Sequence, residues 1–392
     1  MPLVIARGGR DDRAMPPLPT ARQGATLEVK KRLLPFSFFP VTRGNRRYSL
    51  FDAVFAVSPW AVMRGAINDR VSSVRQREEA LAFLEQAEDF YVAATGRLAA
   101  NPLLLYYSFL NLGKAVLRTL GATASFDRAA HGLFERRGAG DLLKDAEVVV
   151  SDSGPNRLDI FPTLVEQLGF PRPPSGTAYP VGELMPQIVV GHRLWREADR
   201  GNQERFVAIN EIEIVDDRAA REVWLRLFIE RGDVARYDIT RSRLLDEGAL
   251  RNAFHEVKVT GTGRADHVFV LELRNPIGYG HRPTDELMQL VELMRPLLWR
   301  IAISIPETTY RKYYVHLTPP NEASRLPQLA SLWALFFYFG SIVRYRPHHF
   351  DAISAGPYGP FVTEFISAQP EQMLYLLASE MREREIAKPA II

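Results

Sequence analysis

The sequence predicts an α+β fold: a mainly helical bundle built from both ends of the chain, with an antiparallel β lobe inserted between them. Three observations carry this expectation. Apolar residues recur with helical spacing over 78–119 and again after 283. Between about 186 and 280 the period falls to two. At 392 residues the chain is too long for one simple core, so two or three lobes are expected. The divisions read as a basic, partly disordered arm over 1–47, a first helical part over 48–182, the β lobe over 183–282 and a second helical part over 283–392.

Each element has local grounds. In EEALAFLEQAEDFYVAAT (78–95), Ala80, Leu84, Ala87, Tyr91 and Ala94 form one stripe, with Glu85, Glu88 and Asp89 facing away. Asn101 and Pro102 then restart the chain, the asparagine as a cap and the proline at the first helical position. LLLYYSFLNLGKAVLRTLG is apolar nearly all round, as the central helix of a bundle must be, and Gly121 ends it. The short interval makes the two helices an antiparallel hairpin. Residues 121–182 are mixed and loop-rich, and FPRPPSGTAYPVG (170–182) reads as an inter-lobe linker or ordered surface loop.

RFVAINEIEIV and EVWLRLFIERG alternate as strands do. HEVKVTGTG and DHVFVLELRNP read as a hairpin around Gly261, Thr262 and Gly263. A helix is expected over 283–304, capped near Thr284 and bent or split by Pro296. A short strand, KYYVHLTP, follows. A long apolar helix over 326–345 and a last helix near 370–385 complete the order.

Composition excludes several classes. The chain contains no cysteine, which removes disulfides, thiolate metal sites and cysteine nucleophiles. MPLVIARGGRDDR lacks the apolar core of a signal peptide. The longest apolar run, Leu329 to Phe339, falls short of the roughly 20 residues that span a bilayer. A cytoplasmic protein without a membrane partner is expected. The net charge is only +3, but residues 1–47 carry ten Lys/Arg against Asp11, Asp12 and Glu28. Such a start reads first as a loosely attached arm and second as a contact for nucleic acid or a partner. Nucleotide-loop, serine-hydrolase and zinc-protease motifs are absent, and no Asp/Glu/His spacing suggests a metal site, so neither cofactor nor metal is expected.

The candidate chemistry lies in SIVRYRPHHFDAI (341–353). Pro347 forbids a helical Arg346, so the long helix should end near Tyr345 and the proline open the next helix. Arg344 and His349 then flank the corner, with both heads able to reach one spot. A guanidinium beside an imidazole is the minimum set for metal-free RNA cleavage. The imidazole moves protons near neutral pH, and the guanidinium neutralises the reacting phosphate. Arg346 and His348 are candidate RNA or ligand contacts in the same stretch. The structural reading is an arginine on a helix C-terminus and ordinary corner histidines.

Lys114 and Asn111, with Tyr107 on the same helical face, either point into a polar pocket or hold a lysine that runs to solvent. His131, beside Gly132 in DRAAHGLFE, reads as a hydrogen-bonded turn residue sooner than as a base. RNPIGYGHR (274–282) is either a pocket wall or a tight exit loop.

EQAEDFYVAA with NPLLLYYSFLNLGKAVL, HGLF, and the C-terminal GSIVRYRPHHFD with QPEQMLYLLASEM together resemble the YaaC-like bacterial proteins. The resemblance covers 75–135 and 326–392. The helical hairpin and the Arg-x4-His corner are similar, more distantly, to HEPN domains. Tyr345 and Pro347 depart from the usual HEPN spacer. That second resemblance implies a dimeric, metal-independent ribonuclease of anti-phage defence or stress response. In it Arg344 would contact the scissile phosphate and His349 would be the acid/base, leaving a 2′,3′-cyclic phosphate. The expected partners are RNA, a second copy and a protein encoded nearby. The rival is a non-catalytic binding or assembly protein, whose β lobe recognises a ligand or partner and whose helices oligomerise. A third reading gives nucleic-acid binding to the basic arm alone, with steep salt dependence.

Overall fold

The computed structural model describes residues 17–40, 54–96, 101–154, 157–189, 192–198, 204–246, 250–259, 267–302, 312–317 and 326–389. Helix and strand are both present in quantity, as the α+β expectation requires. Helices α1 (Pro59–Arg70) and α2 (Val74–Ala94) start on Ser58 and Ser73, whose hydroxyls accept from the Ala61 and Gln76 N–H groups. Helix α3 (Asn101–Thr119) returns beside α2 and is buried through most of its length. The loop-rich expectation for 121–182 missed a small sheet. Strands β1 (Leu133–Arg136), β2 (Glu147–Val150) and β3 (Ala178–Pro180) pair antiparallel with β2 central, and α4 (Ile160–Gln167) lies between β2 and β3 in the chain. These strands are short and interrupted by loops, so their alternation is too brief to read as a period.

The β lobe follows. β4 (Phe206–Ile209) precedes a meander of β5 (Glu211–Asp217) and β6 (Glu222–Glu230), in register Glu211 to Phe228. β7 (Phe254–Glu256) and β8 (Val268–Leu273) pair antiparallel, with Phe254 opposite Leu273. The expected turn at Gly261 lies outside the described residues. The helix expected over 283–304 is short: α5 spans Leu287–Met294 and stops before Pro296. The chain then extends as β9 (Leu298–Arg300), which pairs with β10 (Tyr313–His316), and β10 pairs in turn with β4. Proline removes an amide donor and crowds the preceding turn, so here it ends the helix outright.

Residues 17–40 pack on the β lobe. Ala25 and Thr26 add to the edge of β5, and Leu27, Phe36, Phe38 and Phe39 are buried in the β-lobe core. Counting the charge of this region hid its apolar content, LLPFSFF (33–39), which drives its burial. The basic residues of 1–16 and 41–47 lie outside the described residues.

Three helices close the chain: α6 (Gln328–Tyr345), α7 (Pro347–Ala355) and α8 (Gly359–Arg382), the last beginning well before residue 370. The apolar interior falls into two clusters. One joins α1–α4 and β1–β3 to α6–α8, and so draws on both ends of the chain. The other joins residues 27–39 to β4–β6, β8, β10 and α5. Helices α3 and α6 cross closely because glycine stands at two crossing points. A Cβ on Gly113 would overlap the Trp333 ring, and one on Gly340 would lie 2.7 Å from the Tyr106 Cβ. No helix among the described residues is long and apolar enough to cross a membrane.

Candidate functional site

A pocket of about 360 Å³ opens where α3, β1 and the end of α6 meet. Each wall follows from local sequence. Tyr106 and Tyr107 are consecutive on α3, so they project in directions about 100° apart. The next wall begins at His131. Gly132 takes φ +75°, and a Cβ there would lie 2.6 Å from Pro162 Cδ, so only glycine makes this turn. Phe134, Glu135 and Arg137 continue the wall. The third wall is the end of α6, with Arg344 and Tyr345, and Arg346 just beyond it. The helix stops at Tyr345, and Arg346 adopts φ −150° and ψ 61° ahead of Pro347.

The two tyrosines each hold one polar group. Arg344 Nη1 donates to the Tyr107 hydroxyl at 2.7 Å, and its guanidinium lies 5.0 Å from the centre of the Tyr345 ring. The Tyr106 hydroxyl is hydrogen-bonded to His131 Nδ1. Burial, assisted by neighbouring Tyr107, raises the Tyr106 pKa well above the usual phenol value, so it stays protonated. Burial also pushes the His131 imidazole down, and the positive charges of Arg344 and Lys114 push it further, so the ring is neutral near pH 7.

The arginines divide into two kinds. Arg346 is ion-paired with Glu135. Arg344 and Arg137 have no carboxylate partner among the described residues. Two apolar faces complete the mouth: Phe134 is 46% exposed and Tyr345 is 63% exposed. An open pocket with guanidinium groups that no carboxylate neutralises, a neutral imidazole and exposed rings suits a phosphate-bearing organic ligand.

The expected site residues fall in different places. Arg344 and Arg346 line the pocket. His348 and His349 stand on α7, their rings 4.3 Å apart, and neither belongs to the lining. Partial burial lowers the His349 pKa, and His348, Arg137 and Arg346 lower it further, which puts it in the field of the pocket's arginines. Lys114 donates to Asn111 Oδ1 at 3.2 Å and lies 5.0 Å over the Phe83 ring. Neither lines the pocket, although the Lys114 charge is felt at His131.

Among the lining residues, Tyr106, Phe134, Glu135 and Arg137 were not singled out in the sequence, and His131 was read there only as a turn residue. The signal available for them was the His131-Gly132 step followed by the short alternation LFER. A larger cavity of about 680 Å³, lined by His192, Arg193 and Glu204, differs in kind. Its buried carboxylate already faces His192 at 3.1 Å and Arg196 at 3.6 Å. No cluster of His, Asp and Glu among the described residues suits a metal ion.

Comparison with curated proteins and with solved structures finds no match. A family model described as YaaC-like Protein matches residues 50–381, which include every residue lining the Arg344 pocket, and the chain belongs to this YaaC-like family.

Proposed function

We propose that the chain binds RNA through the Arg344 pocket and cleaves it without a metal ion. The observation that carries this reading is the pair of arginines, Arg344 and Arg137, that lack a carboxylate partner among the described residues and share an open pocket with an imidazole. A phosphodiester is the anion that uses all three groups. Guanidinium groups bind and neutralise it, and an imidazole serves the proton transfer. The sequence reading gives that transfer to His349, which feels the positive charges of Arg137 and Arg346. His348, exposed beside His349, is the proposed contact for a flanking phosphate. Cleavage needs a ribose 2′-hydroxyl, so the substrate is RNA and not DNA.

A second reading, binding without cleavage, is favoured by His349 lying outside the lining. One experiment separates the two. Parent protein and Arg344→Ala are incubated in EDTA with mixed tRNA and with single-stranded RNA, and affinity is measured by fluorescence anisotropy. The expected result is cleavage by the parent, with 2′,3′-cyclic phosphate ends, and an affinity about tenfold weaker in Arg344→Ala, the scale of a lost charged hydrogen bond. Arginine-dependent binding with intact RNA selects the second reading. No binding by the parent refutes both.

A further inference from the structure

We infer that His131, held by Tyr106, is the acid–base residue of the Arg344 pocket. The inference rests on the RNA-cleavage reading above and assigns its proton transfer to a group from the other end of the chain.

Geometry carries it. Consecutive tyrosines on α3 each fix one member of a pair: Tyr106 the imidazole and Tyr107 the guanidinium. His131 lines the pocket together with Arg344, whereas His349 does not. A phenol is an apt partner for an imidazole that must change protonation, because its hydroxyl can either donate to Nδ1 or accept from it. The ring therefore keeps its orientation in both states, with Nε2 left for the substrate. In triads of the serine-hydrolase type a third group fixes the imidazole in the same way.

The charges around the ring set its working form. They are Lys114 on α3, Arg344 on α6 and Arg346 just after it, and Glu135 on β1 and Arg137 just after it, with Asp159 beside Gly132 ahead of α4. Glu135 is engaged by Arg346, and Asp159 accepts from the Ser153 hydroxyl and N–H. The balance near the ring is positive, so the empty pocket holds a neutral imidazole, which is the form a general base requires.

The step conserves atoms and electrons. His131 Nε2 takes the proton of the ribose 2′-hydroxyl. The 2′-oxygen forms a bond to phosphorus, and the bond from phosphorus to the 5′-oxygen breaks. The departing 5′-oxygen takes a proton from water, and the imidazolium returns its own proton to the hydroxide left behind. Arg344 compensates the charge on the phosphoryl oxygens throughout. Nothing is oxidised or reduced, and the products are a 2′,3′-cyclic phosphate and a 5′-hydroxyl.

The test compares the full-length parent with Arg344→Ala, His131→Ala, His131→Asn, Tyr106→Phe and His349→Ala. Single-turnover cleavage of a labelled single-stranded RNA is measured in EDTA, beside affinity and thermal melting. His131→Asn keeps a polar side chain beside Tyr106 and guards against misfolding. The expected loss in kcat for both His131 variants is about 10²- to 10⁴-fold, with affinity little changed. Added imidazole should restore part of the His131→Ala rate, which a purely structural role would not allow. Tyr106→Phe should lower kcat by less, leave KM alone and shift the acid limb of the pH profile. Full activity in folded His131 variants, with activity lost in Arg344→Ala or His349→Ala, overturns the assignment and leaves the pocket reading standing. An inactive parent, or full activity in Arg344→Ala, overturns the pocket reading and the assignment with it.

Discussion

Arg344 and Arg226 are the same residue in opposite circumstances. Arg226 lies in the middle of β6 and donates through Nε to Glu272 at 2.9 Å. Arg22 reaches the same carboxylate at 3.3 Å, and the Trp224 indole donates to it at 3.1 Å. The Glu272 side chain is 1% exposed. Two cations, an indole and a carboxylate thus tie residue 22 to the β lobe. Arg118 repeats the pattern in the helical lobe, with Glu79 at 2.7 Å. Arg344 has a tyrosine instead of a carboxylate. The difference teaches where to look for function in an arginine-rich chain. A guanidinium whose hydrogen bonds end on buried acids is part of the scaffold, and one resting on a neutral phenol keeps its charge for a ligand.

The comparison can be broken by removing each kind of partner. Glu272→Ala strips the acid from two arginines and leaves buried charge uncompensated. It should cost about 3–5 kcal/mol in urea unfolding. Gly340→Ala tests the close helix crossing that places Tyr106. The added methyl meets the tyrosine Cβ, so a loss of about 1–3 kcal/mol is expected, together with weaker RNA binding. Tyr107→Phe removes one neutral partner of Arg344 and should cost only about 0.5–1.5 kcal/mol. Arg344→Ala loses the same exposed bond and should also cost only about 0.5–1.5 kcal/mol, even while RNA binding falls. Equal stability losses for Glu272→Ala and Arg344→Ala would erase the distinction between scaffold and site arginines.

The smallest effect is that of pH on stability. His131 and His255 are both held below the ordinary histidine range, chiefly by burial. As the pH falls through about 6.5 the unfolded chain takes up protons before the folded one does, so stability is full above this point and declines below it. Melting temperature should therefore drop between about pH 6.5 and 5, and less steeply in His131→Asn. An identical slope in that variant would show that His131 keeps its ordinary affinity for protons.

Much of the fold was legible because it rests on local rules. The stripe from Ala80 to Ala94, the Asn101-Pro102 start, the strand alternation of β5 and β6, and the end of α6 before Pro347 all follow from residues close in sequence. Misses came where a local rule competed with packing. Pro296 was read as bending or splitting one helix over 283–304, but the segment after it pairs as a strand with Tyr313–His316. The pocket was half legible. Arg344 stood out because it shares a helix corner with other polar residues. His131 did not, because its significance comes from Tyr106 and Arg344, which approach it only after α3 and α6 cross. Spacing along a chain registers neighbours on one helix, whereas this imidazole and guanidinium come from opposite ends.

That separation bears on biosynthesis. Tyr107 and Arg344, hydrogen-bonded in the fold, are 237 residues apart. At about 5–20 residues per second, a ribosome that has made the first needs roughly 10–50 seconds to reach the second. For most of that interval the emerging chain holds Tyr106 and His131 but no Arg344. On the RNA-cleavage proposal, the late position of Arg344 leaves the pocket incomplete for most of translation, while the chain is attached to the cell's most abundant RNA assembly. A circular permutant that begins near residue 326 would make both walls early, and its toxicity during expression, set against that of the parent, would measure what the natural order protects.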